Sequence, residues 1–169
     1  MSARRLGVRW AAASAAALLM LTGWALAHRM PEVHITAERA ELGGEPATAL
    51  TFRLVAADVL VLLGRDRETN TDLSDEALLK EAGARVLRGI TTKGGAARYL
   101  GAELEDNHVF LYATGPEALD VTDAKVLASV YDAWTNIYKD ERKDGSPTRM
   151  FTQWGKQGSQ RGHSHGHRH

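Results

Sequence analysis

Residues 33–55 read VHITAERAELGGEPATALTFRLV, and this stretch decides the fold. Val33, Ile35 and Ala37 alternate with His34, Thr36 and Glu38. Further on, Leu50, Phe52 and Leu54 alternate with Thr51, Arg53 and Val55. A period of two belongs to a strand with one face in a core and the other toward water. Gly43-Gly44, followed by Pro46, separates the two runs, so they are expected to pair as a hairpin.

Toward the C-terminus, Asp58 to Leu63 is a short apolar run that reads as a buried helical turn, and GRDRETNT (64–71) reads as a surface loop. Ser74-Asp75-Glu76 reads as a helix start, with Ser74 as the cap and two acids at the positive end of the helix dipole. Leu78, Leu79, Ala82, Val86, Leu87 and Ile90 then recur at helical spacing, and Gly89 can stop the helix. Gly83 is the one discordant residue inside that run. Strand-like runs at Tyr99–Glu105 and Val109–Thr114 flank Asp106-Asn107-His108, a tight turn, and Gly115-Pro116 closes the pair. Leu119 and Val121 suggest a short strand, and Ala124 to Trp134 places Val126, Leu127, Val130 and Trp134 on one face of a short helix. Asn136–Glu141 and Thr148–Trp154 are expected to pair across Lys143-Asp144-Gly145-Ser146. The sum is an α+β fold, mainly antiparallel β and sandwich-like, with a helical insertion around 58–90.

The N-terminus reads as an address. Arg4, Arg5 and Arg9 precede a stretch from Trp10 to Ala27 that is apolar apart from Ser14 and Thr22, and it ends Ala25-Leu26-Ala27. A basic start, an apolar middle and an A-x-A end describe a secretory signal peptide, residues 1–27. The alternative is an uncleaved membrane anchor, and the mild hydrophobicity of the Ala-rich run favours cleavage. Cleavage removes three arginines and no acid, leaving 18 basic against 21 acidic residues in a periplasmic or secreted protein. The domain proper is then 28–154, followed by a polar tail, 155–169, expected to be disordered.

Composition limits the chemistry. The 169 residues include no cysteine, which excludes disulfides, thiolate metal sites and thiol catalysis. The near-neutral balance of 21 basic and 21 acidic residues argues against nucleic acid as a partner. No Gly-x-Ser-x-Gly elbow, phosphate loop or His-Glu-x-x-His helix occurs, so the chain is read as non-enzymatic. Glu103, Glu105 and Asp106 are paired carboxylates of the kind used in acid–base work, though such a cluster is more often the solvated turn of a hairpin. Tyr131, Trp134 and Tyr138 would line either a ligand groove or, more commonly, the core.

The most specific feature is the tail. His163, His165, His167 and His169 alternate with Ser164, Gly166 and Arg168. Neutral imidazole suits zinc, nickel and copper(II), and several rings on one short segment can share an ion. His28 is the second candidate. Cleavage after Ala27 would make it the first residue, whose amine and ring can chelate copper, with His34 or His108 as a further ring donor. The bland readings are a tolerated cleavage junction, a solvent-facing strand residue at His34 and a turn residue at His108.

The Ala27-His28 junction, the strand Leu50-Thr51-Phe52-Arg53-Leu54-Val55-Ala56-Ala57-Asp58, then Tyr99-Leu100, Val109-Phe110-Leu111-Tyr112, Leu119-Asp120-Val121-Thr122, Leu127 and Asn136 come in a recognisable order. Together they resemble an uncharacterised family, a domain of unknown function, of small exported bacterial proteins that begin with histidine after the signal peptide. The chain has Ala57-Asp58 where that family commonly has two acids, and Thr135-Asn136 where it has Gln-Asn. The resemblance implies export and a β-rich fold over His28 to Gln153, and no catalytic residues. The expected function is metal buffering or delivery by the tail. The alternatives are an envelope protein-interaction or assembly factor with incidental histidines, and a copper protein built on His28.

Overall fold

A computed structural model describes residues 30–67 and 72–157, so residues 1–29, 68–71 and 158–169, with the expected signal peptide and histidine tail, lie outside the described residues. From Pro31 onward, strands β1 (Glu32–Leu42) and β2 (Glu45–Val55) form the expected hairpin, in register from Leu42↔Glu45 to His34↔Arg53. Their connection is the two-residue turn Gly43-Gly44, with φ of 64° and 88°. Two successive positive φ values suit the right-handed twist of the flanking strands, and glycine adopts them without a Cβ clash.

Helix α1 (Ala56–Leu62) follows β2 directly, and α2 (Glu76–Arg88) comes after the loop. The cap of α2 is Asp75, whose side chain accepts from the N–H groups of Ala77 and Leu78, and not Ser74, whose own N–H donates to Asp72. A carboxylate one residue nearer the helix accepts from the free N–H groups, and its charge also meets the positive end of the dipole. Then come β3 (Ile90–Lys93), β4 (Arg98–Glu105), β5 (His108–Pro116), β6 (Asp120–Ala124), β7 (Thr135–Asp140), β8 (Arg149–Thr152) and β9 (Gly155–Gln157). Asp106-Asn107 is the β4–β5 turn, with Asp106 at φ 53°.

The main sheet has seven strands in the order β4-β5-β2-β1-β7-β8-β9, and β3 pairs with β6 in a separate ribbon. All pairs are antiparallel except β1 with β7. One face of the large sheet carries the core. Val109, Leu54, Val33, Asn136 and Phe151 form one transverse row, and Leu111, Phe52, Ile35 and Tyr138 the next, all of them buried. The helices and the small ribbon supply Val59, Leu62, Leu79, Val86 and Val121 to the same cluster, and the segment between β6 and β7 adds Val126 and Leu127. Each fully buried aliphatic or aromatic side chain here stabilises the fold by roughly 1.5–3 kcal/mol. The fold is thus α+β, mainly antiparallel, with its helices inserted between β2 and β3.

Two segments differ from expectation. Residues 125–134 form successive turns instead of a helix, with Ala128 N–H donating to Lys125 and Val130 N–H to Leu127. Both ends of the segment are already engaged: Lys125 N–H donates to Gly89 O at 2.7 Å, and Thr135 N–H donates to Pro31 O at 3.0 Å as β7 begins. The apolar residues Val126, Leu127 and Trp134 are buried, but as separate anchors of a turn. Gly89 permits that approach, since a Cβ there would stand 2.6 Å from the Cα of Val126. At the C-terminus, regular structure runs past Trp154 through β9, which pairs with β8 from Thr152↔Gly155 to Met150↔Gln157.

Candidate functional site

Among the described residues, the opposite face of the large sheet is only partly covered. One row on it runs through Glu103, Phe110, Arg53, His34, Ile137 and Met150, and Met150 is in backbone register with Gln157 of β9. Beside it lie Gly101, Tyr112, Thr51, Thr36 and Lys139. Phe110, His34, Ile137, Tyr112, Thr51 and Thr36 are half-buried, while Glu103, Arg53, Met150 and Lys139 are exposed. The alternation read from the sequence is responsible: the residues between the core positions of β1, β2 and β5 must point this way.

His34 is the focus of this face. Its Nε2 hydrogen-bonds the Glu32 carboxylate two residues back on the same side of β1. The two side chains are 42% and 40% exposed, so the pair is accessible from solvent. Two strands away, His108 is half-buried with its ring centroid 6.5 Å from that of Phe110. On the β4–β5 hairpin the Tyr112 hydroxyl donates to Glu103, which pushes the phenol up to about 12. Glu103, Glu105 and Asp106 are exposed around this hairpin and its turn, the solvated arrangement that such clusters usually adopt.

The charged groups of the core side are closed into networks. Arg142 binds Asp140 through Nε at 2.7 Å and Nη2 at 2.8 Å. Its Nη1 donates to Thr48 Oγ1 and to the carbonyls of Glu117 and Leu119, between 2.6 and 3.0 Å. The paired guanidinium holds the Asp140 carboxyl below the usual carboxylate range, chiefly by hydrogen bonding. Nearby, Arg149 pairs with Asp120 and stacks 4.3 Å over the ring of Tyr138, whose hydroxyl donates to Asp120. Burial first, and then the Asp140 and Asp120 charges, push Tyr138 up to about 12. Asp58, buried in α1, accepts from the Tyr131 hydroxyl at 2.8 Å and from Arg67 at 3.3 Å. Trp134 and Tyr138 are therefore core residues, and Tyr131 a half-buried partner of Asp58, so the three line no common groove. Asn136 donates to Ala124 O, while its Oδ1 is buried with no partner among the described residues.

Three hollows on the surface of the described residues stand out. One of about 360 Å³ lies between Leu42, Pro46, Arg98 and Pro116, one of about 220 Å³ between Arg39, Glu117, Asp120 and Arg142, and one of about 440 Å³ between Leu62, Arg85, Arg88 and Val130. None contains a histidine. Among the described residues, no group of three or more His, Asp or Glu side chains could hold a metal ion, and no helix is long and apolar enough to cross a membrane. Of the sequence candidates, His34 and His108 share the open face, whereas His28, His163, His165, His167 and His169 lie outside the described residues. Sequence reasoning missed the Glu32–His34 pair as a unit. Its signal was available, since positions two apart on a strand share a face.

No known protein family matches the chain, no curated protein matches its sequence, and no solved structure matches its fold.

Proposed function

We propose that this chain is an exported, non-enzymatic β-rich domain whose C-terminal histidines bind a transition metal, zinc, nickel or copper, for buffering or delivery. The observation that carries this reading is the spacing of His163, His165, His167 and His169, which starts six residues after Gln157, where the last strand ends. Four imidazoles within seven residues give one ion several nitrogen donors at high local concentration. The hydrogen-bonded networks of Arg142, Asp140, Asp120 and Asp58 support a structural role for these charges. Cleavage after Ala27 would add a separate donor set, the amine and ring of His28. Equilibrium dialysis of the untagged chain against the same chain ending at Gln157 tests the reading. The longer chain is expected to hold zinc, nickel or copper that the shorter one does not, and equal stoichiometry would sink it.

The open face favours a second reading, an envelope protein-interaction or assembly factor. Half-buried Ile137 beside exposed Met150 gives one apolar spot and half-buried Phe110 another, with Arg53 and His34 between them and Glu103 and Lys139 alongside. A partner bound there should survive chelator in a pull-down from envelope extract. A partner held through metal should be lost.

A further inference from the structure

We propose that the β4 edge of the large sheet pairs with the β4 edge of a second copy of this chain, antiparallel about a two-fold axis at Ala102, so that the two sheets join into one.

The large sheet ends in two unequal edges. Strand β9 is three residues long, whereas β4 is eight, and β4 pairs only with β5 among the described residues. The outward N–H and C=O groups of such an edge are a template for another strand. Apolar side chains lie along it, with Leu100 51% and Leu104 40% exposed. Charges on an edge ordinarily deter pairing. Those of β4 are sorted by sign, Arg98 at its start and Glu103 and Glu105 at its end. That order sets like charges together in a parallel copy and opposite charges together in an antiparallel one.

The β4 bulge makes the sorting usable. In an uninterrupted strand, residues seven apart point to opposite faces. Here the register with β5 shifts between Tyr99 and Gly101, and Leu100 is the extra residue. Arg98, opposite Thr114, and Glu105, opposite His108, therefore lie on one face, while Tyr99, Ala102 and Leu104 share the core face. A two-fold pair of antiparallel strands must match each residue with one on its own face. With Ala102 on the axis, Arg98 meets Glu105 of the second copy and Tyr99 meets its Leu104, each pair formed twice. Neither Arg98 nor Glu105 has an ion-pair partner among the described residues, whereas Glu103 already accepts from the Tyr112 hydroxyl. This register thus joins the two unpaired charges and covers Leu104 with an aromatic ring. An axis one residue further on would set Glu103 against its own copy, a like-charge pair.

Sedimentation equilibrium of the untagged full chain tests this, with chelator present so that no metal bridges two copies. One strand pairing is a small interface, so a weak dimer is expected. Arg98→Glu and Glu105→Arg should each weaken it about tenfold or more, since each creates two like-charge pairs. Mixed together, the two variants should form a dimer as tight as the parent's, because every such pair is then opposite in sign. Both side chains are exposed, so unchanged melting temperatures serve as the fold control. Ala102→Cys adds a positional check, because the chain has no cysteine of its own. The two substituted Cα atoms would lie about 5 Å apart across the axis, within disulfide reach, whereas those of Leu104→Cys would lie about 14 Å apart. The first variant should oxidise to a covalent dimer and the second should not. A chain that stays monomeric up to roughly 1 mM would overturn the proposal. So would a dimer that ignores both charge reversals, or one that cross-links as readily through position 104.

Discussion

His34 and Gln157 stand in one transverse row of the sheet, three strands apart, although 123 residues separate them in the sequence. The row places the root of the histidine tail on the level of the only described histidine paired to a carboxylate. The first consequence concerns where the chain can be cut. A chain ending at Gln157 should melt within about 2 °C of the full chain, because no core residue is lost. A chain ending at Trp154 removes β9 and exposes the β8 edge, so it should melt lower and aggregate more readily. Circular dichroism melts and light scattering on the two chains check the order.

Arg142 and Asp140 are buried together, at 9% and 6% side-chain exposure. Arg142→Ala should therefore destabilise by about 3–5 kcal/mol, since it strands a buried carboxylate. Arg142→Lys should rescue only part of the loss, because a point charge cannot make two donations to Asp140 and three to Thr48, Glu117 and Leu119. Denaturant unfolding measures both.

The same pair sets an acid limit. The folded value of Asp140 lies below its ordinary value of 3.8, so its contribution is fully present above about pH 4. It is lost as pH falls through the folded value. Asp140→Asn should be less stable than the parent near neutrality and should lose part of the parent's decline below pH 4. Melts from pH 2 to 7 would show a parallel decline in both proteins if the account is wrong.

The tyrosines give an alkaline counterpart. Tyr112 and Tyr138 are pushed up to about 12 and Tyr99 and Tyr131 are also raised, so folding favours the neutral phenols. Their contribution is full below pH 10 and is lost as pH rises toward 12. Tyrosinate absorbance should thus rise above the ordinary pH and coincide with unfolding. Glu103→Gln should bring Tyr112 down selectively, because that carboxylate is its chief cause.

Gly83 offers a packing test. Replacing glycine by alanine inside a helix ordinarily gains about 0.5–1 kcal/mol. Here the added Cβ would come 2.4 Å from the Tyr99 ring on β4, so Gly83→Ala should destabilise instead. In a Tyr99→Ala background the same substitution should regain its ordinary sign, which a double-mutant cycle reads directly.

Much of this architecture is legible in local patterns. Val33, Ile35 and Ala37 announce β1, Asp106-Asn107 the β4–β5 turn, and Leu79, Ala82 and Val86 the buried stripe of α2. What is not legible depends on distant partners. Ile90 continues the helical period, yet it opens β3 because Gly89 is held at the close crossing with Val126. The turns of 125–134 carry a helical spacing of apolar residues, and only the anchoring of both ends excludes a helix. The parallel pairing of β1 with β7 joins residues about one hundred positions apart, with no turn between them to signal it. The Glu32–His34 pair was readable from spacing alone, whereas its alignment with Gln157 follows only from the strand order.

The central claim is that the tail of an exported chain carries the metal, and intact mass spectrometry of the untagged protein from periplasmic extract, denatured and native, tests it most directly. The account predicts a denatured mass that begins at His28 and a native mass with bound zinc, nickel or copper that disappears in the chain ending at Gln157. A mass that retains Met1–Ala27, or an equal metal load with and without residues 158–169, would contradict it.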